Sequence, residues 1–429
     1  MELLLRRPGG RPPREPRSPG RLAALDGLRL VAALMVLFHH YVGYGGGAEP
    51  ADSAWGRPAV DVFHGYAVLG AYTWTGVCLF FIISGFVICL SCWGRSLGDF
   101  VRSRVVRLYP AYWFAVVVTT LFLALWPDLR RPVTVDGLLV NLTMFHLGLN
   151  LDSVDAVYWT LWVEMRFYLL FALLVWRGLT YRKVVVFCVL WTVASAWSTP
   201  VVDSFGMSPY SSFFVAGLAM YLMHQFGPNL LLWGIVGFSW ALSVENGLRH
   251  QAEIQPALGA AKVAPLDVLN LRLEHWPVAL LVTFAYLVML AVALGWTARI
   301  QWRWLTVAGA LTYPLYLLHE AVGWTVLRWL RDQGTGPWPA VGAVTAGMLA
   351  AAWLVHRLVE RPLAPVLRRG VDRALEQLRA ADPAGAAGAV GQRAPVGPVE
   401  PVLVEPVLVE PVLVEPEFLA PFPQKQSRI

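Results

Sequence analysis

About ten apolar stretches, each long enough for a helix, recur along this chain and leave little else to fold. They centre near 28–44, 66–92, 109–126, 158–176, 183–199, 210–226, 229–245, 276–296, 304–323 and 338–358. A bilayer core is crossed by ~20 residues of helix but by about half as many of strand, so these lengths select helices. With 57% hydrophobic residues, 14% charged residues and 20 Trp, the chain is too apolar for an ordinary soluble domain. The expected fold is all-α: a polytopic membrane bundle of about ten transmembrane helices.

Arginine placement sets the expected orientation, because short cytoplasmic loops retain basic residues. The first 21 residues carry six arginines among Pro and Gly, a basic disordered leader. They do not resemble a cleaved signal, since the apolar run that follows opens with Asp26 and Arg29 and shows no clear cleavage site. "RSLGDFVRSRVVR", "RGLTYRK", "TARIQWR" and "HRLVERPLAPVLRR" fall on the leader's side if the spans alternate. Both termini are then expected in the cytoplasm, and the protein in the inner (plasma) membrane as a multi-pass protein. The net charge of +6 follows from the same rule and gives no reason to invoke nucleic acid.

Residues 366–429 read as an Ala/Pro/Glu-rich disordered tail, with a proline every five residues in "PVLVEPVLVEPVLVEP" from Pro401 to Pro416. The stretch 246–275 is the other sizeable hydrophilic insertion. Function is therefore expected in one membrane domain, 22–365. Cys78, Cys89, Cys92 and Cys188 lie in or beside spans, and the CxxC at 89 and 92 lacks a second pair or a nearby histidine. They read as apolar fillers, with no metal site and no permanently bound cofactor.

Charged groups in a bilayer cost several kcal/mol, ~3 on insertion scales, so each needs a reason. Arg29 and His40 are eleven positions apart, which returns to one helix face about 16 Å along the axis; His39 points elsewhere. Span four opens "YWTLWVEMRFYLLF", with Glu164 about one and a half turns below Trp159, an expected interface anchor. Span nine, "LTYPLYLLHE", puts Thr312, Tyr316 and His319 on one stripe. With spans one and nine running outward and span four inward, His40, Glu164 and His319 are expected at one depth. His40 oriented by Glu164 is a competent general base for a hydroxyl. Structural readings stand beside these: a snorkelling Arg29, a Glu164–Arg166 ion pair, a His319 meeting interfacial water. Arg104 and Arg107 are neighbours at i, i+3 before span three. They suit either phosphate clamping or positive-inside anchoring.

In motif order the chain resembles the acyltransferase-3 family of integral-membrane acyltransferases over about residues 22–365. "LDGLRLVAALMVLFHHY" resembles its first-helix signature, an Arg ten residues ahead of a His, which selects Arg29 with His40. "GVCLFFIISGFVI", "FVRSRVVRLYPAYW", "YWTLWVEMRFYLLF", "YPLYLLHE" and "VERPL" resemble its later blocks. Departures are Cys78 where many members have Asp, Thr160 for Ser, and Met165–Arg166 for a polar pair.

The resemblance implies acyl transfer, usually of acetyl, from acyl-CoA to a hydroxyl of a sugar or glycosylated small molecule. His40 would be the base and Glu164 a polar supporter; Arg29, Arg104 and Arg107 would lie on the donor side. Direct transfer and an acyl-enzyme both remain open. Arginine outnumbers lysine 31 to 3, as in GC-rich bacteria, whose relatives act on envelope glycans and on macrolides. The lack of an added hydrolase-like domain favours a small or lipid-linked acceptor over surface polysaccharide. A rival from another class is a transporter or flippase using intramembrane Arg, His and Glu.

Overall fold

The computed structural model describes residues 22–46, 53–126, 133–196, 206–254 and 276–381. Among these, all regular structure is helical. The long helices are α1 (Ala23–Phe38), α2 (Gly76–Cys92), α3 (Leu97–Leu125), α4 (Trp159–Trp176), α5 (Tyr181–Ala196) and α6 (Ser208–Phe226). They continue with α7 (Leu230–Ile254), α8 (Trp276–Ala293), α9 (Arg303–His319), α10 (Ala321–Asp332), α11 (Pro337–Val355) and α12 (Arg361–Ala381). Each apolar stretch of the sequence lies in one of these helices or overlaps one. Six helical segments are long and apolar enough to cross a membrane: Ala23–Tyr44, Gly65–Cys92, Leu97–Leu125, Ala156–Trp176, Trp276–Ala293 and Pro337–Leu378. The protein is a multi-pass membrane protein.

Local signals set several boundaries. Ser96 caps α3 by accepting from the backbone N–H of Asp99, while the Asp99 carboxylate accepts from Ser96 N, so two of the helix's orphan donors are satisfied reciprocally. Close approach between helices is made by glycine. A Cβ on Gly217 of α6 would sit 2.7 Å from Phe86 N and 3.0 Å from Gly85 Cα of α2, the small-residue contact by which membrane helices meet backbone to backbone. Helices α1 and α9 run parallel: Gly309 faces Asp26 low in the pair, and His319 meets His40 at the top. Leu121, Leu125, Leu169, Leu173 and Leu190 are exposed on the outside of the bundle, as a lipid-facing surface requires. Trp296, Trp302 and Trp304, also exposed, lie in or beside the stretch that leads into α9, where an aromatic belt is expected.

The structure moves one boundary. Residues 366–381, read from the sequence as the start of the tail, belong to α12. Val371, Leu375 and Leu378 recur at i, i+4, i+7 and give this segment an amphipathic face. Its prolines, Pro362 and Pro365, follow directly on the π turn His356–Glu360, inside a helical segment that runs on from α11. Asp372 ties α12 to α3 through Arg102 at 2.9 Å. Residues 246–254 of the 246–275 insertion are likewise the end of α7. The leader, 1–21, and the repeat tail from 382 lie outside the described residues. The four cysteines are free and buried, as fillers should be.

Candidate active site

The last turn of the first span is not α-helical. His39–Tyr44 forms a wide π turn closed by Gly45 in the left-handed region (φ 68°), a deviation that often marks functional sites. Its carbonyls find unusual donors. His40 O accepts from Gly45 N at 2.9 Å and from the Trp324 indole at 3.0 Å, while Tyr41 O accepts from the Trp55 indole at 2.8 Å. His39 turns to the Gly70 carbonyl, 2.9 Å away; His40 turns inward to α9.

There the Nδ1 of His40 lies 2.8 Å from the Nε2 of His319, and the Nδ1 of His319 lies 2.7 Å from the carbonyl of Tyr316. Both rings are buried. A carbonyl only accepts, so His319 carries its proton on Nδ1, and its neutral ring presents a lone pair at Nε2. His40 must then donate from Nδ1. The neutral pair therefore holds the basic lone pair of His40 at Nε2, with the orientation of both rings fixed from the Tyr316 carbonyl outward.

The frame around the pair is tied at the break between α9 and α10. Asp155 accepts from Ala321 N (3.1 Å) and Val157 N (3.3 Å), and Glu320 accepts from the same Val157 N at 3.0 Å. Tyr316 donates to Val157 O at 3.0 Å and Tyr41 to His319 O at 2.7 Å. Asp155 thus supplies an acceptor to the opening donors of α10, where anionic groups are favoured.

Glu164 does not join His40. Its carboxylate accepts from the Ser84 hydroxyl and lies within electrostatic range of Arg104, Arg107 and Tyr168. The expected single depth fails because the level of α4 is set by the 3-10 turn Ala156–Tyr158, which is tied to residues 316–320 of α9. Seven residues on, about 10 Å at 1.5 Å each, Glu164 has descended to the neighbourhood of Tyr313. It belongs to a lower level of the site.

That lower level collects the three arginines singled out by the sequence. Arg107, buried, lies within electrostatic range of Arg29, Arg104 and Glu360. Arg29 also pairs with Asp26 at 2.9 Å. The Arg104 guanidinium sits 5.6 Å over the Tyr168 ring and donates to Ser91 and Ser103 at 3.2 and 2.8 Å. Arg29 stands eleven residues below His40, so the levels are about 16 Å apart along α1. Trp159, half-buried, stands at the upper level with its ring 5.1 Å from that of Tyr210. Ser84, Tyr168, Asp155, Glu320 and Glu360 were not singled out from the sequence. Glu360 could have been found, since it lies in the "VERPL" block.

The described bundle thus buries a histidine pair about 16 Å above a cluster of arginines. Residues 22–357 match the family described as an acyltransferase domain (Acyl_transf_3), and the chain belongs to this family. It is also similar to "Protein 2 in picA locus" of Rhizobium radiobacter, 30% identical over 127 residues, which are 28% of this chain and 55% of that protein. The chain thus spans about half the length of this curated relative. No solved structure matches it.

Proposed function

We propose that the chain is an O-acyltransferase that moves an acyl group, acetyl first, from acyl-CoA to a hydroxyl of a sugar, glycolipid or glycosylated small molecule such as a macrolide. The proposed topology has about ten spans, with both termini in the cytoplasm and the bundle in the inner membrane. Arg29, Arg104 and Arg107 hold the phosphates of CoA, because guanidinium groups clamp phosphate oxygens bidentately. The pantetheine arm rises from there to His40. The Nε2 of His40 takes the proton of the acceptor hydroxyl as its oxygen attacks the thioester carbonyl. The C–S bond then breaks, and the departing thiolate takes that proton back from His40. His319 accepts from the Nδ1–H of His40 throughout and strengthens as an acceptor when His40 becomes cationic. Glu164 supports the arginine level and takes no part in the proton transfer.

The observation that carries this reading is the chain of two hydrogen bonds from His40 through His319 to the Tyr316 carbonyl. The test is labelled acetyl-CoA given to membranes carrying the protein or its His40→Ala variant, with a panel of sugar and macrolide acceptors followed by mass spectrometry. Label on an acceptor, lost in the variant at equal expression, is the expected result. Full activity in the variant would refute the base assignment. Intact acetyl-CoA and intact longer thioesters throughout would favour transport.

A further inference from the structure

The last described helix carries an apolar face that the bundle does not bury. α12 runs on from α11 through the π turn His356–Glu360, and the residues just ahead of it mark where the bilayer ends. Trp353 and Leu354 of α11 and Leu358 of the π turn are exposed, as lipid-facing side chains are, and the Arg357 guanidinium lies 5.8 Å over the Trp353 ring. An indole followed one turn later by a basic residue marks a span leaving the hydrocarbon. α12 therefore starts at headgroup depth.

Its 21 residues make about 30 Å of helix, sorted by face. Leu363, Leu367, Val371, Leu375 and Leu378 follow at i, i+4, i+8, i+12 and i+15, a single stripe. Arg361 and Arg368, seven apart, line one edge of it, and Arg369, Arg373 and Glu376 stand on the far side. The segment holds five arginines against two acids, and Arg368, Arg369 and Arg373 are exposed.

Contact with the bundle does not use up the stripe. Asp372 bonds Arg102 of α3 at 2.9 Å, with both side chains about a third exposed, so a polar side chain ties α12 down. Among the described side chains of α12 none is buried: Leu363, Leu367, Val371 and Leu375 are half-buried, and Leu378 is 67% exposed. A helix in a soluble fold would turn such a stripe to a core. One that is polar over most of its circumference, arginine-rich and apolar along one line lies in a membrane surface, with the line toward the acyl chains. The bilayer is already beside its first turn, and its excess of arginine complements anionic headgroups.

We propose that α12 is an interfacial helix that docks on anionic lipid of the leaflet in which α11 ends. The stripe from Leu363 to Leu378 enters the boundary between headgroups and acyl chains, and Arg361 and Arg368 meet lipid phosphates along its edge.

The test uses the full-length protein, whose own four thiols are buried, with one added cysteine carrying a nitroxide: Leu378→Cys on the stripe or Glu376→Cys on the far side. Both positions are exposed, so neither variant disturbs a buried contact. In nanodiscs of phosphatidylcholine with or without phosphatidylglycerol, collisions with oxygen, which concentrates among acyl chains, and with a water-soluble nickel chelate read the depth of each label. The Leu378→Cys label is expected to favour oxygen and the Glu376→Cys label nickel. Phosphatidylglycerol should lower nickel access at 378 about fivefold, the worth of one arginine at an anionic surface, and Arg368→Glu should undo that change. Nickel access at 378 as high as at 376, or unmoved by phosphatidylglycerol and by Arg368→Glu, would overturn the proposal. So would a 378 label screened from oxygen and nickel alike, the result that a protein partner covering the stripe would give.

Discussion

Replacing His319 tests the two-histidine geometry most directly. His319→Phe keeps a ring of similar size but removes the acceptor 2.8 Å from His40 Nδ1. A hydrogen bond to a charged group contributes about 1.5–3 kcal/mol, and the bond in question is charge-assisted only once His40 has taken the proton. Its loss therefore falls on the transition state. At about 1.4 kcal/mol per tenfold, kcat should drop roughly 10- to 150-fold while the KM for acyl-CoA stays put, since the proposed arrangement puts the donor phosphates at the arginine level, ~16 Å lower. His319→Gln places an amide oxygen close to the lost Nε2 and should recover part of the rate. The assay is initial-rate acetyl transfer by purified protein, with kcat and KM separated. Equal activity of the Phe and Gln variants, or a Phe variant as fast as wild type, would show that the His319 nitrogen does not orient the base.

Arg104→Ala should raise the KM for acyl-CoA about tenfold or more, with a smaller change in kcat, as removal of one phosphate contact would; comparing CoA with dephospho-CoA in wild type and variant checks whether the 3′-phosphate is the one lost. Gly217→Ala should destabilise the bundle by about 1–3 kcal/mol through overpacking, because its methyl meets the backbone of α2 at Phe86; a lower Tm in detergent measures it. His146, in the segment before α4, bonds Ser153 at 2.8 Å, and burial pushes its imidazole down to about 4. Its folded value lies below the unfolded one of about 6.5, so the unfolded chain binds the extra proton and stability is lost as pH falls from about 6.5 towards 4, by up to about 3 kcal/mol. His146→Gln should flatten the Tm profile in that window, and an unchanged slope would assign the acid sensitivity elsewhere.

The helices were legible in the sequence because apolar length is a one-dimensional property that survives any packing. That His39 and His40 turn to different sides was legible too, since successive residues of a helix cannot share a face. What escaped was set by loops. Glu164 was placed at the level of His40 by taking Trp159 as an interface anchor, whereas the 3-10 turn before Trp159 fixes the height of α4 and the indole packs on Tyr210. The wide turn at His39–Tyr44 has no signature in hydropathy, because its stability comes from Trp55 and Trp324, distant in sequence. The pairing of His40 with His319 needed only the parallel course of α1 and α9, which no spacing within either helix reveals.

The burial of all four native thiols has a practical consequence. Cys78, Cys89, Cys92 and Cys188 are each at most 2% exposed, so a membrane-impermeant maleimide should find no target on the wild-type protein. A single cysteine introduced at exposed Asp61, Arg95 or Arg368 would then report over a silent background. The protein is thus ready for sidedness mapping without first being stripped of its own sulfur.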